Sequence, residues 1–126
     1  MPNALVTGGC GFIASNFINI MHKRYPDITF VNIDKLDYCS NSNNVNEGAS
    51  VLFHGSLCNT EFVESVINFY KFDYVFHFAA QSHVDNSFID PISFTMDNTY
   101  GTHVLIEMCR KYIPDAQIIH FSTDEV

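Results

Sequence analysis

The 126 residues of this chain, 47% of them hydrophobic, suffice for one domain with a sizeable core. A net charge of −8, with basic side chains only at Lys23, Arg24, Lys35, Lys71, Arg110 and Lys111, argues against a nucleic-acid surface, which needs clustered Lys and Arg, and against a membrane surface. The four cysteines form no CxxC pair, the chain opens Met-Pro-Asn rather than with a charged-then-apolar leader, and no apolar run approaches the roughly 18 residues of a membrane span, so a reduced, cytoplasmic protein is expected.

Apolar runs of strand length alternate with longer stretches of helical period, which predicts βαβ units and a parallel sheet. A first strand at residues 4–6 leads through a glycine-rich turn into a helix. There Ile13, Phe17, Ile20 and Met21 fall at i, i+4, i+7 and i+8, a spacing that predicts one face against the sheet, with Asn16, Asn19 and Lys23 facing away. A second strand is predicted at residues 29–33, an Asn- and Ser-rich loop over 38–50, and a third strand at 51–54. Asn59 or Thr60 caps the next helix, with acidic Glu61 and Glu64 near its positive end and the pairs Phe62/Val63 and Val66/Ile67 turned inward. After a fourth strand at 74–79, Asp90-Pro91 reads as an N-cap followed by proline at the first helical position. Val104, Leu105, Met108, Cys109 and Tyr112 continue the apolar stripe until Pro114, and a fifth strand follows at 117–121. Neither an internal repeat nor a linker divides the chain.

Chemistry concentrates after the first strand, in Thr7-Gly8-Gly9-Cys10-Gly11-Phe12-Ile13-Ala14. Gly8 and Gly9 can make a tight turn, Gly11 lets the backbone approach a pyrophosphate, small Ala14 allows close helix–strand packing, and free N–H groups at the helix start can hold an anion. Asp34 ends the second strand 34 − 11 = 23 residues after Gly11, near the ~20 expected of the acidic residue that binds an adenosine ribose. Its two acceptors suit ribose hydroxyls and would repel a 2′-phosphate, favouring NAD over NADP, although Lys35 beside it has the opposite charge. A solvated loop carboxylate is the plainer reading of Asp34.

Four segments resemble the extended short-chain dehydrogenase/reductase family across the whole chain. TGGCGFIAS is similar to that family's TGGxGFIGS, with Ala14 at the third glycine; IDKLDYCSN resembles VDKLTYAGN, FHFAAQSHVDNS resembles xHLAAESHVDRS, and FSTDEV resembles STDEVYG. The last two point to the NAD-dependent nucleoside-diphosphate-glucose 4,6-dehydratases, typified by the dTDP-glucose enzyme of rhamnose synthesis. The resemblance implies a Rossmann-type, doubly wound parallel α/β sheet of order 3-2-1-4-5. It places Gly8, Gly11, Phe12 and Ile13 at the pyrophosphate, and Asp34, Lys35 and Leu36 at the adenosine. Ser56 and Leu57 fall near the adenine, and Phe78, Ala79, Ala80 and Ser82 at the nicotinamide, with Ser82 also touching the sugar. Asp97 is a further cofactor position. Ser56-Leu57 stands where the family has Asp-Ile, Gln81 replaces Glu, Asn86 replaces Arg and Asp97 replaces Thr; the Ser56 change bears most on adenine recognition.

In such dehydratases the sugar is oxidised at carbon four, loses a proton from carbon five and a hydroxyl from carbon six, and regains the hydride at carbon six. By resemblance Asp124 is the acid, Glu125 the base, and Thr123 hydrogen-bonds the carbon-four oxygen and so contacts substrate. On spacing alone Ser122-Thr123-Asp124-Glu125 is equally a capping-box turn. Family members continue into a Tyr-x-x-x-Lys pair and a smaller sugar-nucleotide domain, neither of which lies in these residues. The resemblance therefore implies an incomplete NAD-binding domain over 1–126, inactive alone, from a protein that binds a dTDP- or UDP-sugar and pairs as a homodimer. Related epimerases and decarboxylases share the fold but lack the Asp-Glu pair, and a non-catalytic dinucleotide-binding module is the alternative outside enzymes. The six histidines show no metal-ligand spacing, so no metal is expected. Ser82, His83 and Asp85 crowd one turn, whereas hydrolytic triads draw on distant segments. Cys10 has no basic neighbour in sequence and reads as a small packing residue.

Overall fold

The computed structural model describes residues 2–36, 41–79 and 91–121. Its elements run β1 (Asn3–Thr7), α1 (Phe12–Arg24), β2 (Thr29–Asp34), a 3₁₀ turn (Ser42–Asn44), β3 (Val51–His54), α2 (Thr60–Tyr70) and β4 (Tyr74–His77). They continue with α3 (Pro91–Thr95), a π-helical turn (Met96–Tyr100), α4 (Gly101–Tyr112) and β5 (Gln117–His120). The five strands form one sheet of order β3-β2-β1-β4-β5 with every pairing parallel, the predicted doubly wound order. β1 lies at its centre, Leu5 in register with Val31 on one side and Val75 on the other.

Because side chains alternate along a strand, the sheet builds two cores. Leu5, Val31, Ile33 and Val75 meet Val63, Val66 and Ile67 of α2 and Val104, Leu105, Met108 and Cys109 of α4. Ala4, Val6 and Phe30 meet Ala14 and Ile18 of α1 on the opposite face. Asn59 caps α2 as expected, its side chain accepting from Phe62 N.

Helix α1 differs from its predicted facing. Ile13 and Ile20 are 69% and 60% exposed, while Ala14, Ser15 and Ile18 are buried and Phe17 and Met21 pack against the core's edge. The helix is rotated by about one residue, roughly 100°, which sets small Ala14 together with Ile18 against the sheet. Asn19, expected to face away, donates to Asn44 O at 2.9 Å and accepts from Asn46 N at 2.7 Å, fastening the loop before β3 to α1.

Strand β4 ends at His77 rather than at residue 79, and β5 at His120 rather than 121, since the chain there turns to build the site. The helix predicted from Pro91 contains the π turn at Met96–Tyr100, a local widening that spacing did not reveal. Among the described residues no helix is long and apolar enough to cross a membrane, and no group of three His, Cys, Asp or Glu could hold a metal ion.

Candidate functional site

The carboxyl ends of β1, β2 and β4 converge where the winding of the sheet reverses, the position at which open α/β sheets bind ligands. Gly8 begins the turn after β1 at φ +69°, and a Cβ there would stand 2.8 Å from Ala79 Cα. Gly9 is more tightly constrained, for a Cβ would lie 2.3 Å from Asn32 Oδ1. Gly11 then begins α1 without any side-chain cap, so the first N–H groups of the helix are left for another acceptor. Beside them Phe12 is 79% exposed.

Asp34 and Asn32, two polar residues of β2, hold this turn. Asp34 is buried, which rules out the solvated-carboxylate reading: Oδ2 accepts from Cys10 N at 2.8 Å and Oδ1 from Leu36 N at 2.7 Å. These two bonds orient the carboxylate. Leu36, at φ +56°, is in the left-handed region that leucine seldom adopts, and the bond to Asp34 holds it there. Asn32, fully buried, accepts from Gly9 N at 2.8 Å and donates to Cys10 Sγ at 3.4 Å. Sequence reasoning missed Asn32; its signal was a lone amide inside an otherwise apolar strand. Replacing Asn32 with Leu strands the Gly9 N–H without an acceptor and should cost about 1–3 kcal/mol in urea unfolding. An unchanged midpoint would show that the turn needs no such anchor.

Cys10 is the packing residue that was expected, since burial and the nearby Asp34 raise its thiol pKa, against a smaller lowering by Asn32. Lys35 Nζ meets Asp97 Oδ2 of the π turn at 2.6 Å, and His54 Nε2 donates to Lys35 O at 3.0 Å. Ser56 Oγ accepts from Cys58 N at 3.1 Å and so caps its own turn, and Leu57 belongs to the α2–α4 core.

At β4 a polar chain crosses the sheet. Thr102 Oγ1 donates to Asn98 O, so at 2.7 Å it accepts from His77 Nε2–H. His77 Nδ1 is then the acceptor for Thr7 Oγ1–H at 2.7 Å, while the Thr7 oxygen accepts from Phe78 N and Ala79 N, each at 3.1 Å. Sequence placed His77 in a strand; its partners, some 70 residues before and 25 after, were not legible. Burial, aided by His120, lowers its pKa from 6.5 to about 4. Phe121, the last described residue, stacks on Phe78 with ring centroids 3.9 Å apart.

The structure thus brings Gly8, Gly11, Phe12, Ile13, Asp34, Lys35, Leu36, Phe78, Ala79 and Asp97 to one end of the sheet. Ala80, Ser82, Thr123, Asp124 and Glu125 lie outside the described residues, as do the helix cap at Asp90 and loop residues 37–40.

The chain is similar to known proteins. A trifunctional UDP-glucose 4,6-dehydratase of Arabidopsis thaliana is 44% identical over 98% of this chain and 19% of its own length. The dTDP-D-glucose 4,6-dehydratase of Mus musculus is 44% identical over 97% of this chain and 35% of its own. Among solved structures, Bacillus anthracis dTDP-glucose 4,6-dehydratase in complex with NAD superposes with a TM-score of 0.85 at 35% identity, over all of this chain and 39% of that one. UDP-glucose 4-epimerase of Thermotoga maritima reaches 0.88 at 30% identity, over 96% of this chain and 38% of that one. The chain therefore spans between a fifth and two-fifths of these relatives. The GDP-mannose 4,6 dehydratase family matches residues 5–126, and this chain belongs to that family.

Proposed function

We propose that the chain is the NAD-binding part of a nucleotide-sugar 4,6-dehydratase acting on dTDP- or UDP-glucose. The observation that carries the cofactor assignment is the glycine turn tied by Cys10 N to a buried Asp34 at the end of β2, 2.8 Å away. The N–H groups at the start of α1 would face the pyrophosphate, and the Asp34 carboxylate the ribose hydroxyls. Thr7, held by His77, sets the backbone of Phe78 and Ala79, which would border the nicotinamide. NAD, when bound, supplies a temporary store for the hydride of carbon four.

The elimination step falls to side chains of residues 123–125. Thr123 would hold the carbon-four oxygen, Glu125 take the carbon-five proton, and Asp124 protonate the hydroxyl leaving carbon six. Two carboxyl groups in different protonation states suit that pair of tasks. The curated relatives at 44% identity are dehydratases, which favours this reading over an epimerase, although solved epimerases, at 30% and 33%, are nearly as similar as a solved dehydratase at 35%. A cytoplasmic homodimer is the form in which we expect the complete protein.

The 126 residues contain no Tyr-x-x-x-Lys to accept the carbon-four hydroxyl proton. Incubated with NAD and dTDP-glucose or UDP-glucose, the chain should therefore bind NAD yet release no 4-keto-6-deoxy sugar, as judged by mass spectrometry. Product formation would overturn this division of labour, and failure to bind NAD would overturn the cofactor assignment.

A further inference from the structure

We infer that Ser56 leaves the base of the dinucleotide loosely read, so that a 6-oxopurine, hypoxanthine, is accepted nearly as well as adenine. This rests on the cofactor reading of the glycine turn and Asp34. With the pyrophosphate over the turn after β1 and the ribose at the end of β2, the base continues in the same direction, where the next strand is β3. Neighbouring strands are spaced about 4.8 Å apart, roughly the step from a ribose to its base. The two strand ends are also joined directly, Gly55 N donating to Asp34 O at 3.0 Å. Ser56 is the first polar side chain beyond β3.

Its oxygen is fixed and its hydrogen is not. Ser56 Oγ accepts from Cys58 N and Ser56 O from Asn59 N, each at 3.1 Å, and Cys58 is fastened in turn by Sγ donating to Met96 O at 3.2 Å. A hydroxyl has two acceptor sites and one donor. Cys58 N occupies one acceptor site, and among the described residues none receives the hydrogen, so one acceptor and one donor are left for a base. At carbon six adenine presents an amino donor and hypoxanthine a carbonyl acceptor. The hydroxyl meets either, by turning its hydrogen away from the amino group or toward the carbonyl. Its neighbours do not compete for that place: His54 is directed at β2, Nε2 donating to Lys35 O at 3.0 Å, and Leu57 belongs to the core. A carboxylate at position 56 would only accept, and would therefore favour the amino group and repel the carbonyl.

Calorimetric titration of the chain with NAD and with nicotinamide hypoxanthine dinucleotide tests this, read as the ratio of the two dissociation constants. The wild type should bind the two within about tenfold of each other. Ser56→Asp keeps an acceptor for Cys58 N but has no hydrogen to give, so it should widen the ratio in favour of NAD by about tenfold. Any weakening from its charge falls on both dinucleotides and cancels in the ratio. Ser56→Ala removes a partner common to both, and should weaken each about three- to tenfold while holding the ratio within about threefold of wild type. A wild-type ratio above about tenfold, a shift below about threefold for Ser56→Asp, or a larger shift or unweakened binding for Ser56→Ala, overturns the proposal while leaving the NAD site intact. Binding of neither dinucleotide by the wild type overturns the cofactor reading together with it.

Discussion

Acidification from neutral pH should destabilise this chain by up to about 3 kcal/mol through His77 alone, with the loss spread between pH 6.5 and about 4. In the fold the imidazole is neutral, accepting from Thr7 at Nδ1 and donating to Thr102 at Nε2. A proton on Nδ1 would present a third donor to the Thr7 oxygen, which already receives Phe78 N–H and Ala79 N–H and has two lone pairs. His120, whose ring centroid is 4.9 Å away, also disfavours the charge, though burial is the larger cause. The folded pKa thus lies below the unfolded one. Above pH 6.5 both states are neutral and the contribution is fully present; as pH falls, the unfolded chain takes the proton first and stability drops until the native site titrates near 4. Urea unfolding of wild type and His77→Gln at steps between pH 7 and about 5 isolates the effect, before most carboxylates titrate. The wild-type curve should fall more steeply, by as much as one proton; parallel curves would mean that His77 titrates alike in both states.

That network also marks where sequence reading stops. The parallel sheet and its order were legible because Leu5, Val31 and Val75 sit in short apolar runs separated by helical stretches, a pattern set by burial on both faces. Asp34 was legible because its distance from Gly11 is a property of the βαβ unit. The rotation of α1 was not, since Ile13, Phe17, Ile20 and Met21 form as regular a stripe as the Ala14–Ile18 face that is buried. Which stripe turns inward depends on how closely the helix approaches the sheet, a tertiary quantity. The same holds for Asn32, Thr7 and Thr102, ordinary residues until the fold sets them against Gly9 and His77. Lys35 and Asp97 lie 62 positions apart and meet through the π turn, so their pairing could not be read from the chain.

The largest effect is expected at Asp124 and Glu125, in a protein extended to the length of its relatives and supplied with a nucleoside-diphosphate glucose. Oxidation at carbon four precedes elimination and uses neither carboxyl. If Asp124 is the acid, as proposed, Asp124→Asn should still accumulate reduced cofactor, seen by its absorbance, while dehydration slows by about 10²–10⁴-fold, the usual cost of losing a positioned acid. If Glu125 is the base, as proposed, Glu125→Gln should also oxidise the sugar but stop exchanging the carbon-five proton with deuterated solvent. Mass spectrometry of recovered substrate reads this exchange directly and separates the two roles. An epimerase would behave differently, since it needs neither an acid at carbon six nor a base at carbon five, and both substitutions would leave its turnover close to wild type. If both variants dehydrate at near wild-type rates with normal deuterium uptake, the two carboxylates have no part in the chemistry, and the acid and base of the reaction lie elsewhere.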